Sequence, residues 1–177
     1  MAASDEALAR AVERWPDQSQ IWRTRVAYLM YSGRPNEALS LLGSDRPVGV
    51  EPDFVDTSRA CAMALLGQLS ASDAVTRNLK SLQKDPSQAL AVAQRCASLD
   101  DPSSVFDILG GYYFGMTPWA HLGPPGGDDD RITNPLFQPP MKTVWNDPRF
   151  DAVLKRIGLE DYWRQSGQEP DFRKYRS

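Results

Sequence analysis

Residues 19–43 read SQIWRTRVAYLMYSGRPNEALSLLG, and this stretch decides the fold class. Ile21, Trp22, Val26, Leu29 and Met30 recur at helical spacing, which predicts a helix over 19–32. Gly33 stops it. Pro35 then stands where a second helix, 35–43, would have its first residue, a position with no intrahelical partner for the missing N–H. Two helices joined by so short a turn fold back on each other as an antiparallel hairpin.

The same grammar extends in both directions. Upstream, residues 4–14 place Leu8, Ala11 and Val12 on one face, with Asp5 and Glu6 in the first turn, where the helix dipole favours them. Downstream, Gly43, Pro47, Gly49 and Pro52 punctuate a linker. Helices are then predicted at about 54–66, 70–84, 88–98 and 102–114, separated by Gly67, Asp85-Pro86 and Asp100-Asp101-Pro102. From 115 to 146 glycine, proline and the run Asp128-Asp129-Asp130 predict a long irregular loop; its GPPGGDDD tip is expected to be mobile and its flanking aromatics docked. Asp147 and Pro148 open a helix carrying Phe150, Val153, Leu154 and Ile157, and a short helix over about 159–166 follows before a tail. Strand-like alternation is weak throughout. The expected organisation is therefore helical repeats over 1–114, a loop docked on the array over 115–146, and capping helices with a tail over 147–177.

A faint repeat runs through this pattern. Val26-Ala27, Cys61-Ala62 and Cys96-Ala97 are spaced by 35 residues, each in the first helix of a hairpin, and Leu8 and Leu42 are 34 apart in second helices. Within 18–50, Trp22 takes the bulky early position, Gly33 the turn, Ala38 the small position and Leu42 the large one. This resembles a tetratricopeptide repeat (TPR), with more degenerate units around it. The segment 131–172 adds motif islands in order: Arg131-Ile-Thr133, Leu136-Phe137-Gln-Pro139-Pro140, Asp147-Pro148-Arg149-Phe150, Ile157-Gly158-Leu159, Tyr162-Trp163-Arg164-Gln-Ser-Gly167 and Pro170-Asp171-Phe172. Together these resemble the C-terminal region of bacterial TPR proteins, including regions that follow a winged-helix or cyclase domain in regulators. The resemblance implies an all-α, TPR-like helical-hairpin solenoid that senses or scaffolds through protein contacts, with no catalytic residue attached. No winged-helix or cyclase segment precedes the repeats, so DNA binding and nucleotide cyclisation do not carry over. The chain reads as a free-standing repeat module or as a fragment of a longer protein. A sensory part of a transcription regulator, acting in trans or separated from its DNA-binding domain, is the alternative expectation.

Composition narrows the function classes. At 177 residues and 41% hydrophobic, the chain can bury a sizeable core and is not of disordered composition. A formal charge of −3 provides no general attraction to phosphate backbones, which argues against direct nucleic-acid binding. No apolar run approaches bilayer length, and the opening Met-Ala-Ala-Ser-Asp-Glu-Ala-Leu lacks a basic and an apolar region, so the expected location is the cytoplasm.

Chemistry-bearing patterns are sparse, so no enzymatic activity, cofactor or metal is expected. His121 near Asp128–Asp130 lacks the spacing of a helix-loop-helix calcium site, and contiguous carboxylates point apart. Gly123-Pro-Pro-Gly-Gly127 loses two backbone donors to proline and is followed by no Lys-Ser or Lys-Thr, so it cannot cradle phosphate as a P-loop does. A nucleophilic Gly-x-Ser-x-Gly turn is missing. Cys61 and Cys96 sit mid-helix among apolar residues, where a thiol is inert. The tryptophans, Trp15 and Trp22 among them, are expected mostly to anchor the core. The polar feature that remains is a set of arginines on first helices. Arg23, Arg59 and Arg95 are expected to line a groove, with Met30 and Tyr31 forming an apolar pocket beside Arg23, and to grip an acidic segment of a partner protein or its C-terminal carboxylate. A solvated helix face with local ion pairs is the bland reading of the same residues.

Overall fold

The computed structural model describes residues 2–122 and 132–176, with side chains from residue 5 onward. The GPPGGDDD tip lies outside these residues. Among the described residues every regular element is helical: α1 (Ala2–Arg14), α2 (Ser19–Tyr31), α3 (Pro35–Gly43), α4 (Pro52–Leu65), α5 (Ala71–Lys84), α6 (Ala89–Ser98), α7 (Pro102–Phe114), α8 (Pro148–Arg156) and α9 (Leu159–Ser166), with short 3-10 helices at Pro86–Gln88, Asn134–Phe137, Pro139–Val144 and Asp171–Tyr175. No described helix is long and apolar enough to cross a membrane. The chain divides into two compact units, Met1–Ser81 and Leu82–Ser177, and the division falls within α5.

In the first unit, α3 packs against both α2 and α4, α2 touches α4, and α1 lies on α2. Trp22, Val26, Leu29 and Met30 form the buried stripe of α2, and Ala38 and Leu42 of α3 and Val55, Cys61 and Ala62 of α4 are buried in the same unit. Ala38 is fully buried, and its small side chain permits close approach of the helices. The α2–α3 turn closes because Gly33 adopts φ +77°, which any side chain would resist. The Arg34 N–H then donates to the Leu29 carbonyl at 2.8 Å, satisfying an end group of α2.

In the second unit α6 is central. Ala89, Leu90, Val92, Ala93, Arg95, Cys96 and Ala97 are all buried, so the helix is covered nearly all round. It packs against α7 and against the 3-10 helices Asn134–Phe137 and Pro139–Val144. Side chains tie that proline-rich segment down. Gln94 Nε2 donates to Pro135 O at 2.9 Å, Thr143 Oγ1 to Ala97 O at 3.0 Å, Tyr113 OH to Ile132 O at 2.7 Å and Trp145 Nε1 to Leu136 O at 3.0 Å. These bonds tie the segment to α6 and α7 and help satisfy its backbone carbonyls. Leu122, Leu136, Met141 and Val144 are almost fully buried there, and Trp119 is buried too. These 3-10 helices and the one at Asp171–Tyr175 fall where the sequence predicts only loop and tail. One anchoring tryptophan also departs from expectation: Trp15 is 49% exposed, whereas Trp22, Trp119 and Trp145 are buried.

Helix α8 starts as its sequence predicts. Asp147 accepts a hydrogen bond from Arg149 N at 2.9 Å, with Pro148 in the first turn. The Arg149 guanidinium also bonds the carboxylate, and this holds the Asp147 carboxyl below its ordinary value against a weaker opposing effect of burial. Asp147→Ala is expected to cost about 1 kcal/mol, the usual worth of such a cap. Because the folded pKa is depressed, this contribution is complete above the unfolded carboxylate value of about 3.9 and is lost as pH falls through the lower folded value. Urea midpoints measured across pH should therefore show a constant gap between variant and wild type at neutral pH, closing in acid.

Candidate functional site

The sequence-singled residues fall at different depths. Arg23 leaves α2 and donates to Gly49 O at 2.8 Å and to the Glu51 carboxylate, while its guanidinium lies 5.2 Å from the centre of the Phe54 ring. Phe54 in turn packs on Trp22 with centroids 6.2 Å apart. Arg23 thereby fastens the 49–54 stretch to α2. Arg59, on α4, donates to Leu42 O at 3.1 Å, satisfying one of the last carbonyls of α3, and lies 3.9 Å from Asp56. Its side chain remains 44% exposed. Tyr31 is half-buried, and Met30 belongs to the core with 4% exposure. Arg95 is likewise only 4% exposed and stands on α6 in the second unit. Arg23 and Arg59 are thus the arginines of the set that reach the surface of the first unit, and each has an intramolecular task.

The first unit also holds a short charge chain. Arg34 bonds Asp5 at 2.6 Å and forks across Glu37 with two bonds of 2.7 Å. These bonds raise the arginine above its ordinary value and hold the Glu37 carboxyl below its own. Groups paired in this way stay charged at neutral pH and are unsuited to exchanging protons.

The second unit carries a site that the sequence reading passes over. Asp151 and Lys155 of α8, Glu160, Asp161 and Arg164 of α9, and Arg173 and Arg176 of the following segment line a cleft of about 420 Å³. Arg173 donates to both Glu160 oxygens at 2.6 and 2.7 Å, Arg176 to Asp151 at 2.6 and 3.3 Å, and Arg164 to Asp161. Beneath the charges lies an aromatic cradle. Phe172, 4% exposed, sits 5.1 Å from Phe137, 5.6 Å from Trp145, 5.9 Å from Phe150 and 5.9 Å from Trp163, measured between ring centres. Arg173 stacks over Trp163 and Arg176 over Phe172, at 5.5 and 5.1 Å. A signal existed in the sequence: Phe172 flanked by Arg173 and Arg176, next to a helix bearing Glu160. It has no helical period, so it reads as a polar tail.

Among the described residues no group of three or more His, Cys, Asp or Glu side chains is close enough together to share a metal. His121 packs beside Trp119 at 5.8 Å, and Asp128–Asp130 lie outside the described residues. Cys61 and Cys96 are both buried. Compared with known proteins, the chain matches no family model, no curated protein and no solved structure.

Proposed function

We propose that the chain is a cytoplasmic, bacterial interaction module that binds rather than catalyses, holding an acidic segment of a partner protein on a TPR-like face formed by α2 and α4. The observation that supports this reading best is the packing order of the first unit: α3 touches α2 and α4, and α2 touches α4. In TPR-like repeats that order lets the first helices of successive hairpins share a face, and the partner lies along it. Arg59, half-exposed on α4, supplies charge and bidentate donors to an acidic segment. Arg23 acts less directly, because Glu51 already occupies it.

The test is affinity purification from the native host with wild type, Arg59→Glu and a control reversal, Arg149→Glu, in the second unit. Partner recovery is expected to fall at least tenfold for Arg59→Glu and to stay level for Arg149→Glu, with both variants helical by circular dichroism. Equal recovery from all three removes the arginine face from the reading.

A further inference from the structure

The segment 171–176 is held in an unusual way. Helix α9, which precedes it, buries none of its own residues, and the segment itself is a single short 3-10 helix. Its holds on the second unit include one inserted ring, Phe172, two ion pairs at the cradle rim, and cation–π contacts such as Arg173 over Trp163 and Lys142 over Tyr175. Those pairs are partly exposed, 35% and 30% for Arg173 and Glu160, and 23% and 53% for Arg176 and Asp151. Partly exposed pairs are screened by salt and contribute little to affinity, but they fix register. The arrangement has the parts of a peptide complex: an aromatic anchor in a ring-lined pocket, and arginines at the first and fourth positions after it that meet fixed carboxylates.

We propose that the cradle of Phe137, Trp145, Phe150 and Trp163, with Glu160 and Asp151 at its rim, is a docking site for a partner peptide in which an aromatic residue is followed by arginines one and four positions on, and that Phe172–Arg176 of the chain itself is the occupant that such a partner displaces. The rim carboxylates supply the charge complementarity, and the resident segment specifies the spacing. This site is separate from the α2–α4 face. A tethered occupant competes at high effective concentration, so an incoming peptide binds the intact chain weakly and a chain with its own segment released strongly.

The probe is a fluorescein-labelled peptide of residues 168–177, QEPDFRKYRS, titrated by anisotropy into full-length chains. R173E/R176E sets like charges against Asp151 and Glu160 and releases the resident segment while keeping every ring; Phe172→Ala empties the pocket by a second route. Either opened chain is expected to bind the peptide at least tenfold more tightly than wild type does. Replacing the peptide's phenylalanine by alanine, or adding D151K/E160K to the Phe172→Ala chain, where the lysines repel the arginines of peptide and resident segment alike, is expected to abolish binding, and Arg59→Glu to leave it unchanged. The proposal is overturned if opened chains with native circular dichroism bind no better than wild type. It is also overturned, in favour of exchange between two copies, if wild type forms a concentration-dependent dimer that R173E/R176E abolishes while no chain captures the peptide.

Discussion

Gly111→Ala is expected to destabilise the second unit by about 3 kcal/mol, while Gly110→Ala, one residue earlier in α7, is expected to stabilise it by about 0.5–1 kcal/mol. The two glycines differ in what stands before them. A methyl group on Gly111 would lie 2.3 Å from the Trp119 carbonyl oxygen, 2.5 Å from Trp119 Cβ and 2.7 Å from its carbonyl carbon. Two of these atoms are backbone, so the contact cannot be relieved by turning a side chain. The 116–122 segment would have to lift away from α7, taking buried Trp119 and Leu122 with it. A methyl group on Gly110 would meet Met116 at 3.6 Å, an ordinary contact with a flexible side chain. There the general helical advantage of alanine over glycine is left unopposed. Denaturant midpoints of the two variants should move in opposite directions from wild type. Equal shifts of one sign would mean that Trp119 does not lie against Gly111.

Phe150→Ala is expected to cost about 3–5 kcal/mol, the usual range for removing a buried ring. Phe150 is fully buried, meets Phe137 edge-on at 6.5 Å and Phe172 at 5.9 Å, and lies under Arg176. Its loss leaves a cavity beneath the segment 171–176 and removes two favourable ring pairs. Tyr162→Ala, on α9 and 60% exposed, should be close to neutral and serves as the control. Near-ultraviolet circular dichroism should report the difference: the clustered rings of Phe150, Trp145 and Trp163 give a fixed aromatic signal that Phe150→Ala weakens and Tyr162→Ala keeps.

How much of this was legible in the sequence depended on period and punctuation. Helix α7 runs from Pro102 to Phe114 as predicted, because Asp101 accepts from Ser104 N at its start and Gly115 takes a left-handed conformation at its end. The α2–α3 hairpin was equally readable, from one apolar stripe and Gly33. The segment 134–144 was not, because three prolines, Pro135, Pro139 and Pro140, break any 3.6-residue period, and the 3-10 helices gain their order from bonds to residues as distant as Gln94 and Ala97. Burial of individual side chains was legible only in part. Helical spacing puts Arg95 among Ala93, Cys96 and Ala97, but a lone arginine in such company reads as a surface residue, and only packing on both sides of α6 covers it. Met30 reads equally well as core or as pocket lining, and here it is core. The cradle is not legible in the sequence, because its members, Phe137, Trp145, Phe150, Trp163 and Phe172, come from separate elements that meet only in three dimensions.

The α2–α4 face can be probed directly with a photo-crosslinking amino acid placed at Asp56, which is 72% exposed and lies beside Arg59, in cells of the native host. The expected result is a discrete protein adduct at position 56 that Arg59→Glu abolishes and that a crosslinker at exposed Asp107 of α7 does not yield. No adduct from position 56, or one that persists unchanged with Arg59→Glu, would contradict a partner-binding role for this face.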